Sequence, residues 1–246
     1  MLIAAYNIFD GTENLPLSIA SIRSVADKVI GVYQLVSNYG NPIGYNIEAE
    51  LKMYGFDELI LYTPDLNATG AQNECNKRNI GLIRAEELGA DYFMTLDCDE
   101  VYNQTRLLVS FMYFKQTGKD GSACQMQTYY GDTNHRYTTP EDYYVPLFYK
   151  VIQGRRFKEY TQWPVLADPT RKLEGSVFVF DRYEVEMQHL SYVRKDIRLK
   201  LENSSALKNH RAKIDEIESY YKAWQPGMDG LTVHGMTPLT YSPISV

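Results

Sequence analysis

Ala90-Asp-Tyr-Phe-Met-Thr-Leu-Asp-Cys-Asp-Glu-Val-Tyr102 is the stretch on which the reading of this chain turns. A short apolar run, Tyr92 to Leu96, ends abruptly in acid. It is too short for an independent helix and suits a strand buried on both faces, as parallel sheets require. Asp97 and Asp99 then emerge at the carboxyl end of that strand, the edge where open α/β sheets bind ligands. Paired carboxylates there are hard oxygen ligands suited to Mg²⁺ or Mn²⁺ on a substrate diphosphate. The plain alternative is that acids after a strand form a turn or cap a helix.

Upstream, strands and helices alternate. Leu2 to Tyr6 reads as a strand, and Asn7 to Asn14 as a loop into a helix over Leu15 to Ala26, with Leu15, Ile19, Ile22 and Ala26 on one face. Val29 to Val36 is a second strand, closed by the turn Ser37-Asn-Tyr-Gly-Asn-Pro42. A helix near Ile47 to Tyr54, a strand Glu58 to Tyr62, and a longer helix Gly70 to Leu88 with Gly89 as its C-terminal stop complete a βαβαβαβ pattern. On the long helix, Glu74 and Arg78 are spaced for a surface ion pair. Alternatively, Lys77 and Arg78 face the strand ends and neutralise a diphosphate.

The 246 residues suffice for one α/β domain, and 44% hydrophobic with 23% charged residues is globular composition. Three cysteines, Cys75, Cys98 and Cys124, lack the spacing of a disulfide framework or a zinc site. No basic leader and no apolar run near twenty residues is present, so a cytoplasmic protein without a membrane span is expected. Sequon matches at Asn67, Asn103 and Asn203 then have no consequence.

Beyond Tyr102 the alternation lapses. Leu107 to Phe114 reads as a helix, Ser122 to Tyr130 as a half-exposed strand, and Gly131 to Pro140 as a mobile polar loop. Tyr143 to Val151 is a strand whose Pro146 argues for an edge or a bulge. A strand over Tyr183 to Leu190 is followed by a helical tail over 195–246, with Ile197, Leu201, Ile214, Ile217, Tyr221 and Trp224 as a core seam. Residues 150–213 carry 14 Lys and Arg against 8 Asp and Glu, while the rest carries 11 against 23. Arg155, Arg156, Lys158, Arg171, Lys172, Arg194, Lys195, Arg198 and Lys200 would form a basic face for a polyanionic acceptor, or pair with the acidic half.

Lys77-Arg-Asn-Ile-Gly81, a helix ending at Gly89, and Asp91-Tyr-Phe-Met-Thr-Leu-Asp-Cys-Asp99 together resemble the Arg-Asn-x-Gly helix and Asp-x-Asp strand of GT-A glycosyltransferases. The resemblance is to the large family 2-type, polysaccharide-synthase-like group, phage-type members included. Ala5-Tyr6-Asn7 and Glu13-Asn14 resemble its first strand and loop, so the match covers about residues 2 to 102. It implies a GT-A (Rossmann-like) mixed sheet flanked by helices, with a nucleotide-sugar half at 1–102, an acceptor half at 103–194 and a helical tail. It also implies a metal-dependent transfer of sugar from a donor, a UDP-sugar first, to a hydroxyl. Asp97, Asp99 and His189 would hold the Mn²⁺ or Mg²⁺. Tyr6, Asn7, Gln34, Lys77, Arg78, Asp97, Arg194 and Lys200 would contact the donor. Where the family places acids and Ser after the second strand, this chain has Tyr33-Gln-Leu-Val-Ser-Asn38. Asp168 is the expected base for the acceptor hydroxyl, against an ordinary Asp-Pro turn. Glu141-Asp142 is a counterpart of the family's later Glu-Asp motif. The acceptor is left between a glycan and DNA bearing hydroxymethylated bases, with Trp163 or a tyrosine to stack on an unstacked base.

Other classes fit less well. A haloacid-dehalogenase-type phosphatase places its Asp-x-Asp near the chain start, and a sugar nucleotidyltransferase carries a Gly-rich loop after its first strand, which Asn7-Ile-Phe-Asp-Gly11 is not. A non-catalytic module binding a nucleotide-sugar or a metal is a further alternative.

Overall fold

Four parallel strands form the frame that positions everything else. In the computed structural model, which describes residues 1–204 and 211–246, they are β1 (Leu2–Ile8), β2 (Lys28–Tyr33), β3 (Glu58–Leu61) and β4 (Tyr92–Asp97), ordered β3-β2-β1-β4. The helices between them are α1 (Leu15–Ile22), α2 (Ile47–Leu51) and α3 (Gly70–Glu87). β1 is buried at every position, as a central strand covered on both faces must be. Its alternate residues therefore serve two cores: Leu2, Ala4, Tyr6 and Ile8 pack with α1, while Ile3 and Ala5 pack with α3.

α3 starts and stops where the sequence says it should. Thr69 and Gln72 form a reciprocal capping box, and Gly89 takes the left-handed conformation (φ 74°) after its last turn. Gly81 lets the helix approach β1 closely, since a Cβ there would meet the Ala5 Cβ at 2.6 Å. That close approach carries Lys77 and Arg78 to the carboxyl ends of the strands.

The second half continues the same sheet. β5 (Glu100–Val101), α4 (Gln104–Thr117), β6 (Gly121–Tyr130), β7 (His135–Tyr137), β8 (Tyr144–Lys150), β9 (Val177–Val179) and β10 (Glu186–Tyr192) follow in order. β8 runs antiparallel between β4 and β6, and β6 also pairs β7, β9 and β10. Pro146 sits in an interior strand, with the β6–β8 register slipping between Gly121 and Ala123. Its missing N–H is tolerated because β8 meets β4 only at Tyr149 and Lys150. The bulge expectation holds and the edge expectation does not.

The expected mixed α/β sheet flanked by helices is present, with two corrections. Gly131 to Pro140 is no free loop: β7 pairs β6 and a C-terminal strand, and the His135 ring packs edge-on against Trp224 and Tyr241. The tail is not helical throughout. α5 (Ile197–Asn203) and α6 (Ile214–Ala223) bury Ile197, Leu201, Ile214 and Ile217 as expected, but β11 (Gly230–Thr232), β12 (Gly235–Thr237) and β13 (Leu239–Tyr241) follow. Residues 205–210 of that tail lie outside the described residues. Among the described residues no helix is long and apolar enough to cross a membrane, and all three cysteines are buried free thiols.

Candidate active site

A cleft of about 460 Å³ opens at the carboxyl ends of β1, β2 and β4. Asn7 at the end of β1 lies in register with Asp97 at the end of β4. Asn7, Asp97 and Gln34, just past β2, follow the alternation of Ala5, Phe93 and Val32 and so face α3 rather than α1. Tyr6 has the opposite parity. It is fully buried against Phe56 with its hydroxyl on Ser18 Oγ at 2.8 Å, so the expectation that it contacts substrate is wrong.

Asp97 and Asp99 occupy different surroundings. Asp97 lies between two buried arginines, with Arg78 Nη2 3.2 Å from Oδ1 and Arg171 Nη2 2.5 Å from Oδ2. Burial would raise its carboxyl, but Arg171 and Arg78 outweigh this and hold it down at about 2. Arg78 also donates to Thr95 Oγ1 at 3.2 Å, and stands 3.8 Å from Asp168 and 3.9 Å from Glu74. It is therefore a buried strand-end residue and not half of a surface pair. Arg171 reaches Asp97, the fully buried Glu100 and, at 3.4 Å, Asp168. Tyr102 donates to the other Glu100 oxygen at 3.1 Å.

Asp99 faces the other way. β10 pairs β5 so that Leu190 N–H donates to the Asp99 carbonyl at 2.7 Å, which sets His189 Nε2 3.6 Å from Asp99 Oδ2. Arg194 Nη2 donates to that same oxygen. Burial opposes ionisation of Asp99, yet Arg194 and His189 hold it far below the usual carboxylate range.

A divalent cation at these residues divides the same way. Asp97 has an arginine on each carboxylate oxygen, yet its side chain is 39% exposed and lines the cleft, so an ion there would share the carboxylate with Arg78 and Arg171. Asp99 and His189 approach within ligand-to-ligand distance, but Arg194 donates to the same Asp99 oxygen and the Asp99 side chain is only 7% exposed, so an ion there would have to displace the guanidinium. Among the described residues no group of three or more His, Cys, Asp or Glu is placed to hold an ion. An ion at Asp99 and His189 would take its remaining ligands from substrate phosphates and water, as Mg²⁺ commonly does.

The other expected residues sort by distance from the cleft. Lys77 and Lys200 line it. Burial lowers both, Lys200 to about 8 with help from Arg194, against the pull of Asp99 and Asp10. Lys200 donates to Ser191 Oγ at 2.7 Å. Asp168 lines the cleft too, but its Oδ1 caps the turn Pro169–Arg171, accepting from Thr170 N–H and Oγ1–H at 2.8 Å each. It thereby holds Arg171 in place. Glu141 and Asp142 are elsewhere: Glu141 accepts from Thr128 N–H at 2.6 Å and Asp142 is exposed, so neither has a catalytic position. Trp163 is packed on Tyr149, with its indole N–H on the Leu173 carbonyl at 2.9 Å, and is not free to stack on a base. Four residues of the expected basic face are paired with acids. Arg155 pairs with Asp120, Arg156 with Glu86, Lys158 with Glu174, and Arg198 with Glu202, Asp215 and Glu218.

The buried charge network beside the cleft, and two titratable cleft residues, Asp10 and His234, escaped the sequence reading. Glu100 and Arg171 complete the buried charge network, and only the third acid of Asp-Cys-Asp-Glu hinted at it. Asp10, raised by burial, lines the cleft from the loop after β1. His234 reaches it from the turn between β11 and β12, for which no local signal exists.

No family model and no curated protein matches this chain. Among solved structures it is similar to S. aureus TarS residues 1–349, at a TM-score of 0.49 and 11% identity over 89% of this chain and 71% of that one. TarS 1–349 in complex with UDP-GlcNAc gives 0.49 and 11% over 89% and 73%. CMP:2-keto-3-deoxy-manno-octonic acid synthetase complexed with CTP gives 0.35 and 7% over 57% and 60%. Overlaps of this size do not carry a ligand or an activity from those proteins to this chain.

Proposed function

We propose that the protein is a glycosyltransferase that moves a sugar from a nucleotide-sugar, a UDP-sugar first, to a hydroxyl acceptor. The observation that carries this reading is the set of buried, unpartnered polar atoms on residues of one strand-end cleft. Arg194 Nε and Nη1 are charged donors without acceptors, beside Lys77 and Lys200. Asn7 Nδ2 is a free amide donor and Gln34 Oε1 a free acceptor. Leaving such groups unmade costs about 1–3 kcal/mol each, more when charged, so the cleft is built for an anion flanked by a hydrogen-bonding ring.

Gln34 Nε2 donates to the Val36 carbonyl at 2.8 Å, which fixes its amide with Oε1 free to accept an N–H. Asn7 and Gln34 would thus read the edge of the base, while Arg194, Lys77 and Lys200 hold the diphosphate. Arg78 and Arg171 hold Asp97 rigid at the strand end. In the reaction the acceptor oxygen bonds to the anomeric carbon, the bond from that carbon to the phosphate oxygen breaks, and the nucleoside diphosphate leaves. The hydroxyl proton passes to a cleft carboxylate, Asp168 or the burial-raised Asp10. A divalent cation at Asp99 and His189, in place of the Arg194 contact to Asp99, would instead supply the positive charge against the leaving diphosphate.

The test is release of nucleoside diphosphate from a panel of nucleotide-sugars, with and without Mn²⁺, in the presence of glycan acceptors or hydroxymethylated DNA. Asp10→Asn and Asp168→Asn distinguish the bases. Because Arg155, Arg156, Lys158 and Arg198 are each paired with acids, a small hydroxylated acceptor is expected over DNA. A binding-only module would release nothing with any donor, and that result rejects the transferase.

A further inference from the structure

Arg194 stands where an ion bound to Asp99 would have to stand. Its Nη2 donates to Asp99 Oδ2, the oxygen that also faces His189 Nε2 at 3.6 Å. The side chain is only 5% exposed, and Nε and Nη1 are buried without partners. The opposite wall of its seat is the backbone of Gly11. A Cβ at that position would lie 1.7 Å from Nη1 and 2.8 Å from Cζ, and the φ of +74° already favours glycine. The guanidinium is therefore lodged between a carboxylate and a bare backbone, with its remaining donors uncommitted.

We propose that Arg194 is the resident cation of this site. The guanidinium takes the place at Asp99 that a divalent ion would occupy, and offers its free N–H groups to the diphosphate. A nucleoside diphosphate then binds without metal. This rests on the nucleotide-sugar reading of the cleft. Guanidinium suits the role because it is permanently charged and its planar fork matches phosphate oxygens. Ion and guanidinium are alternatives: an ion reaches Asp99 and His189 only when Arg194 has left.

The probes are UDP and GDP, titrated calorimetrically in EDTA and in Mn²⁺, with Mn²⁺ binding followed separately by electron paramagnetic resonance. The wild-type chain should bind one nucleotide with nearly the same affinity in both conditions. Arg194→Ala should weaken binding in EDTA by about 10- to 100-fold, the loss expected for charged hydrogen bonds. In that variant Mn²⁺ should restore much of the affinity, and Mn²⁺ itself should bind more tightly. Gly11→Ala should behave alike by expelling the guanidinium, and Arg194→Ala keeps the test valid if Gly11→Ala does not fold. Wild-type binding that appears only with Mn²⁺, or Arg194→Ala binding in EDTA as the parent does, overturns the proposal and leaves the nucleotide reading standing. No nucleotide binding under either condition overturns both.

Discussion

Replacing Arg171 by alanine removes the cation shared by Asp97, Glu100 and Asp168. The Arg171 and Glu100 side chains are 3% and 1% exposed, so water cannot take over the lost contacts. Asp97 keeps Arg78 at 3.2 Å, whereas Glu100 keeps only neutral donors, the Tyr102 hydroxyl at 3.1 Å and the Asp97 backbone N–H at 3.0 Å. The penalty therefore falls mainly on Glu100 as an uncompensated buried charge, for which about 3–5 kcal/mol is the usual loss. Against a typical domain stability of about 5–15 kcal/mol, Arg171→Ala should lower the urea midpoint severely. If the stranded charge is the cause, Arg171→Met combined with Glu100→Gln should recover at least half of the loss, since both charges then leave together. Urea unfolding followed by circular dichroism measures both. A loss under about 1 kcal/mol for Arg171→Ala, within the range of a surface pair, would refute the reasoning. So would additive losses in the double variant.

Two further outcomes follow from other parts of the fold. Gly81→Ala places a Cβ 2.6 Å from the Ala5 Cβ, so despite better helix propensity it should destabilise by about 1–3 kcal/mol, read from the melting temperature; a stabilised variant would mean that α3 shifts freely over β1. Asp120 accepts from Ser176 N–H at 2.8 Å, and this hydrogen bond, with Arg155 nearby, holds its carboxyl below the ordinary 3.8. A lowered carboxyl stabilises the fold above its unfolded value and stops doing so as pH falls through the folded one, so Asp120→Asn should cost stability at pH 7 and much less below pH 3; an equal loss at both pH values would assign it to shape and not to charge.

Local pattern was enough for much of the frame. Burial on both faces, the capping box at Thr69, Gly89 after α3 and the apolar run into Asp97 are each decided within a few residues. The parallel unit and its acidic strand end were therefore legible, and His189 was legible as the histidine at the end of a later strand. The side on which Tyr6 falls was also present in the period of two, since Ala5 and Asn7 share one face and Tyr6 the other.

What the sequence by itself determined is thus the alternation of strands and helices, and which carboxylates stand at the strand ends. Which cation meets which carboxylate was decided only by the tertiary structure. Asp97 and Arg171 are 74 residues apart, Asp99 and Arg194 are 95 apart, and His234 enters from a hairpin after the last helix. Charge interacts through space with no periodic trace in the chain, so fourteen basic residues between 150 and 213 read alike until burial separates them. Arg171 and Arg194 are then enclosed beside acids, and Arg198 lies on the surface with three others. The physical reason is desolvation: only the folded chain removes water from particular pairs, and that removal turns a solvated charge into part of a site.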